Sequence, residues 1–148
     1  MKKKIMPPTF FIIFLILSII LHFIIPIKKI ICPPYTHFGG FLILFGVVLN
    51  IWADSLFKKR KTTVKPHKIP TFLETSGPFK ISRHPMYLGM AAILLGVTII
   101  YGTLITFLFP IAFIILIEIK FIPIEEKNME KAFGKRYFDY KKKVRRWI

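Results

Sequence analysis

Cysteine is almost missing from this chain: Cys32 is the only one in 148 residues. No intrachain disulfide is possible, and a cysteine-based metal site is not expected. Cys32 precedes Pro33 and Pro34 and reads as structural. Acidic residues are scarce as well, seven against 23 Lys and Arg, for a net charge of +16. Internal repeats and low-complexity tracts are absent. From Pro85 to Ile117 no residue is charged at all.

What remains is apolar. The hydrophobic fraction is 54%, too high for a soluble domain with this much charge unless the charge is segregated. It is: Lys and Arg gather at 2–4, 58–61 and 141–146, with long uncharged runs between. So positive a chain fits nucleic acid, but basic loops beside apolar spans are the signature of a cytoplasmic membrane face. Membrane is therefore the expected partner, and nucleic acid is not.

A span needs about 20 mostly apolar residues. The first runs over 10–27. Its start resembles a signal peptide, but Pro26-Ile27-Lys28-Lys29 follows in place of a small-residue cleavage site, so a retained span is expected. The second runs over 38–57. The uncharged stretch from Pro85 is too long for one ordinary span, and Tyr101-Gly102-Thr103 near its middle predicts a hairpin, because Gly breaks helices. Two further spans follow at 85–101 and 104–122, the last with Pro110 as a kink that neighbouring helices tolerate.

The expected fold is thus an all-α integral membrane protein of about four transmembrane helices in a single domain. A connector over 58–84 and a C-terminal helix over 125–148 complete it. The basic N-terminus, connector and C-terminus should all be cytoplasmic, which four spans satisfy and three or five do not. In the tail, Phe133, Tyr137, Tyr140, Val144 and Trp147 fall on one helical stripe. Lys135, Arg136, Asp139, Lys142 and Arg145 or Arg146 lie opposite. Such a helix lies on a membrane surface or closes over a site.

Two groups of residues carry chemistry. Ser82-Arg83-His84-Pro85-Met86-Tyr87-Leu88-Gly89 stands where the connector enters the third span. Pro85 suits a first helical turn, where free N–H groups and partial positive charge collect. Arg83 and His84 beside it make a compact anion site, and Gly89 permits close approach. The same residue types also snorkel at membrane borders. The second group is Glu125-Glu126, with Glu118 seven positions before Glu125, two turns away on one face. The hairpin returns Glu125 to the 77–87 segment, so a ligand bearing both an ammonium and a carboxylate would fit. Glu118 and Lys120, ionisable groups at the end of a span, are costly there and so functional candidates.

With these residues in view, a family resemblance is specific. Thr75-Ser76-Gly77-Pro78-Phe79, Arg83-His84-Pro85-Met86-Tyr87-Leu88-Gly89, an apolar hairpin, Glu125-Glu126 and Phe133-Gly134-Lys135-Arg136-Tyr137-Phe138-Asp139-Tyr140-Lys141 resemble the isoprenylcysteine carboxyl methyltransferase and phospholipid methyltransferase family. The likeness covers about residues 71–148. It implies an S-adenosylmethionine-dependent methyltransferase whose lipophilic acceptor, a prenylcysteine-type carboxylate or a lipid amine, enters from the bilayer. It implies cofactor contacts at Thr71, Phe72, Leu73, Phe79, His84, Pro85, Met86, Tyr87, Gly89 and Glu125. Arg83, His84, Glu125, Glu126 and Glu118 are the expected catalytic group.

There are departures. Phe79 stands where Tyr is frequent, and Glu74 where an apolar residue is common. The substrate-contacting Arg of the prenylcysteine enzymes corresponds to Phe121, with Lys120 as the neighbouring cation that would replace it. Attack on a sulfonium methyl needs no acid. A carboxylate acceptor needs no base, and an amine or hydroxyl would draw on Glu118 or Glu126. Two other classes share features with the chain. NADPH-dependent membrane sterol and steroid reductases carry a similar Arg-His-Pro-x-Tyr-x-Gly block, but with Asn where Met86 stands. A non-enzymatic adaptor would use the basic tail on anionic lipid.

Overall fold

A computed structural model of the chain describes residues 6–25, 28–60 and 70–148. Lys2 to Lys4, residues 26 and 27, and 61–69 of the connector lie outside the described residues. Helices α1 (Pro7–Ile24), α2 (His37–Lys59) and α3 (Pro85–Tyr101) are followed by a longer composite helix. It comprises a 3-10 turn Leu104–Phe107, α4 (Leu108–Leu116), a π-helical turn Ile117–Phe121 and α5 (Ile122–Phe133). A last helix, α6, spans Lys135–Lys143. Among the described residues there is no strand, only an isolated bridge between Lys29 and Thr103.

Three of these helices are long and apolar enough to cross a bilayer: Pro7–Ile24, His37–Lys59 and the composite Leu104–Phe133. The apolar α3 is a little shorter, at 17 residues. The chain is an all-α membrane protein.

The four long elements run up and down. The start of α1, the end of α2, the start of α3 and α5 meet at one end of the bundle. At the other end His22 stacks on Tyr101, with ring centroids 4.2 Å apart, and α3 stops at Gly102, whose φ of 66° ends the helix. Helices in lipid gain little from hydrophobic burial against each other, so close packing must hold them. Between α2 and α3 small residues permit it. Gly39 faces Gly96 and Gly46 faces Gly89, and a Cβ at any of the four would collide with the opposing backbone. The opposite face of α2 is bare: Leu44 is 63% exposed and Ile51 64%, as lipid-facing side chains should be. On the other side of α3 a core forms from Leu94, Phe113, Ile117 and Ile122, with Phe10, Phe11 and Phe14 of α1 packed on it.

Three local expectations are corrected. Pro110 does not kink a span; it lies in the first turn of α4, after the 3-10 turn, where its missing N–H costs nothing. The tail is not one helix over 125–148. It breaks at Gly134, whose φ of 49° is costly for other residues, and the chain leaves the helix after Lys143. The aromatic stripe therefore divides. Tyr137, Tyr140 and Val144 pack on Leu73 with Phe133, whereas Trp147 packs against the core formed by α3 and the composite helix.

Candidate functional site

A cavity of about 510 Å³ opens at the end where α1 begins, α2 ends and α3 begins. The connector roofs it: Pro78 and Phe79 are buried in a 3-10 turn, and the Phe79 ring meets Phe57 of α2 edge-on at 5.1 Å. α6 closes the same side, where Tyr140 donates a hydrogen bond to the Phe79 carbonyl at 2.6 Å. Met6, Pro7, Phe57, Met86 and Met90 are among the apolar residues of its wall, and Glu74, Arg83, His84, Tyr87 and Glu125 are among the polar and charged ones.

His84 caps α3 and is held by the carboxylates of α5. Its Nδ1 lies 3.2 Å from Glu125 Oε2 and its Nε2 3.9 Å from Glu126 Oε1. The Tyr87 hydroxyl, one turn into α3, donates to the other oxygen of Glu125, and its ring stacks on His84. Burial by itself lowers the His84 pKa, but the close contact with Glu125 and the negative charge of Glu125 and Glu126 outweigh it, leaving the imidazole above its ordinary value.

Glu126 is enclosed by cations. Arg83 Nη2 lies 3.0 Å from Oε1, Arg146 binds both oxygens from Nε and Nη2 at 3.0 and 2.8 Å, and Lys141 stands at 3.7 Å. Arg146 also reaches Glu118 through Nη1 at 2.5 Å, and Trp147 Nε1 donates to the second Glu118 oxygen at 2.9 Å. The last residues are tied to the start of α3 by the main chain. Arg83 N donates to the Arg145 carbonyl and Ser82 Oγ to that of Arg146, both at 3.0 Å.

The π-turn explains which glutamates share a partner. Seven residues at about 100° each bring Glu118 and Glu125 to one face of a regular α-helix. A π-turn takes up about one residue, so the position that returns to Glu118's face is the eighth, Glu126. Glu125 is rotated off that face and lines the cavity.

The expected site residues therefore separate. Leu73, Phe79, Arg83, His84, Pro85, Met86, Tyr87 and Glu125 surround one cavity. Glu126 stands behind it as the partner of Arg83 and His84. Thr71, Phe72 and Gly89 are not on the cavity wall; Phe72 lies under the Arg60 guanidinium at 4.8 Å, and Gly89 is spent on the contact with α2. Glu118 is engaged by Arg146 and Trp147. Lys120 is exposed, and Phe121 is buried with its ring on Phe10.

Sequence reasoning passed over several lining residues, among them Met6, Pro7 and Asp54, which lie far along the chain from the motif, and Glu74, which it noted only as a departure from the family pattern. It also left open which of Arg145 and Arg146 faces inward. Glu74 had a signal, being the one acid in a basic connector and followed by Thr75 and Ser76, whose N–H and hydroxyl groups cap a carboxylate.

Comparisons with known proteins bear on the chain as a whole. A family model described as phospholipid methyltransferase matches residues 35–136, from the start of α2 into α6. A protein of Haemophilus influenzae, described as an uncharacterized protein, is 43% identical over 63 residues, which is 43% of this chain and 100% of that one. No solved structure matches.

Proposed function

The chain belongs to the phospholipid methyltransferase family and is a membrane methyltransferase, and on that premise we propose that it transfers a methyl group from S-adenosylmethionine to a lipophilic acceptor. One observation carries the choice of cofactor. Arg83 Nε and Nη1 and His84 Nε2 are buried with no hydrogen-bond partner, and Glu125 stands beside them. Buried polar groups are nearly always paired, so these N–H groups fit an incoming carboxylate and Glu125 an ammonium. An amino-acid head group offers both.

Bound there, S-adenosylmethionine supplies a methyl group on sulfonium whose leaving group is a neutral thioether, so no acid is required. Arg83 and His84 would hold the carboxylate end and Glu125 the ammonium. Glu126 keeps Arg83 and His84 in place, and Arg146 keeps Glu126 in place. Leu73, Phe79, Met86 and Met90 exclude water and hold the reacting groups close. Glu118 and Glu126 are neutralised by Arg146, which favours positioning over proton removal for both.

The apolar wall at the start of α1 and the end of α2 suits an acceptor arriving from the bilayer, a prenylcysteine-type carboxylate or a lipid amine. The basic character of this end supports a cytoplasmic orientation for it. A cysteine introduced at Lys80 should be labelled from the cytoplasmic side, and labelling only from outside would overturn that orientation.

Purified protein in detergent should be stabilised thermally by S-adenosylhomocysteine, as a native-state ligand stabilises, and left unchanged by NADPH. The reverse pattern would move the chain to the membrane reductases.

A further inference from the structure

Glu74 is the most buried carboxylate on the cavity wall, with a side chain 3% exposed. Its two oxygens are unequally used. Oε1 accepts from Thr75 N at 3.1 Å, Ser76 N at 2.9 Å and Ser76 Oγ at 2.6 Å. Oε2 is buried with no hydrogen-bond partner, and the nearby cation, Arg60, is half-exposed and 3.6 Å away. Burial raises the Glu74 pKa, but the bonds from Ser76 and Thr75 and the charge of Arg60 more than reverse this, so the group is ionised. A fixed, charged, buried acceptor with a vacant oxygen is costly unless a donor arrives.

Its position selects the donor. Glu74 lies in the connector beside Leu73, which packs on Tyr137 and Tyr140 of α6. Glu74 also lies near the end of α2, where Arg60 stands. It is distinct from Glu125, the partner for an ammonium. An aromatic and apolar face with one carboxylate acceptor suits a nucleoside, whose flat base packs on the face and whose sugar offers hydroxyl donors. We propose that Glu74 Oε2 receives a ribose hydroxyl of the cofactor, making Glu74 a cofactor-binding residue that discriminates ribose from deoxyribose. This rests on the proposed use of S-adenosylmethionine.

The test compares affinities by calorimetry in detergent for S-adenosylhomocysteine and its 2′-deoxy and 3′-deoxy analogues. Gln is the informative replacement: its oxygen can keep the bonds from Thr75 and Ser76, while its NH2 puts a donor where the vacant acceptor was. Wild type should bind at least one deoxy analogue on the order of tenfold to a hundredfold more weakly, the range for a hydrogen bond to a charged group. Glu74→Gln should lose a similar factor with S-adenosylhomocysteine and lose little more with that analogue. Ser76→Ala, which removes a bond to the other oxygen, should keep the discrimination.

Wild type that binds S-adenosylhomocysteine without distinguishing the hydroxyls overturns the role of Glu74 alone, and needs no variant to show it. The same holds if Glu74→Gln still discriminates as wild type does, or if it weakens only the acceptor's KM. Wild type that binds no S-adenosylhomocysteine overturns the cofactor reading and this inference with it.

Discussion

Both ends of the helix bundle bury polar side chains, but they differ in what is left over. At the end remote from the cavity, Thr98 Oγ1 donates to the Thr106 carbonyl and Thr106 Oγ1 to that of Thr103, at 3.1 and 2.8 Å. Thr103 Oγ1 in turn meets His22 at 3.3 Å. These hydroxyl bonds close on the bundle itself and join α1, α3 and the hairpin turn. At the cavity end the groups are charged, and several donors and one acceptor remain open on Arg83, His84 and Glu74. A polar cluster that satisfies itself stabilises a fold; one that is charged, buried and incomplete is arranged around something else. The two neutral orphans elsewhere, Ser18 Oγ and Asn50 Oδ1, lie along helices away from the cavity wall.

That contrast predicts where substitutions act on folding and where they act on binding. The largest effect should come from Glu126→Gln. It leaves Arg83 buried against a neutral partner, and breaking a buried ion pair costs about 3–5 kcal/mol. Thermal unfolding in detergent should show this as a loss of stability without any ligand present. Unchanged unfolding would mean that Glu126 does not hold the cation cluster.

Next in size are His84→Ala and Glu125→Gln, each expected to weaken S-adenosylhomocysteine binding by about 1–3 kcal/mol. The double variant should lose less or more than the sum, because the two side chains touch each other and one ligand. Thr98→Val at the opposite end should cost stability by about 1 kcal/mol and leave that affinity alone. If Glu125→Gln binds like wild type, the carboxylate half of the site is wrong.

The smallest effect is one of pH. His84 is held above its ordinary pKa, so its contribution to stability is complete below the unfolded value of about 6.5. It fades as pH rises through the higher folded value. Unfolding temperature measured from pH 6 upward should fall for this reason in wild type, and the slope should flatten in His84→Ala. An unchanged slope in that variant would assign the dependence to another group.

Much of the architecture is legible because in a membrane protein hydropathy and charge act directly on the chain. Residues 85–101 carry no charge and stop at a Gly, and α3 has those bounds. The motif around Arg83 and the carboxylates of Glu125 and Glu126 stand at the two ends of one apolar hairpin, so their meeting follows from connectivity. Less legible was the outcome at single positions. Gly89 reads equally well as a ligand approach or a helix contact, and the glycines of α2 that settle it are about 40 positions away. Glu118 and Glu125 read as one face because a regular helix was assumed, and the π-turn between them shifts the count by one.

By itself, then, the sequence determined an apolar bundle with a basic end, the hairpin that folds Glu125 back toward His84, and the family of chemistry. Those properties depend on local composition and on the order of segments along the chain. Only the tertiary structure decided which carboxylate faces the cavity, that Arg146 rather than Arg145 turns inward, and that Glu74 is buried with one oxygen vacant. Each of these depends on a helix phase, on a bend at Gly134 or on contacts between segments 60 or more residues apart, such as Tyr140 with Phe79. Rotations of about 100° per residue decide such contacts, and composition does not record them.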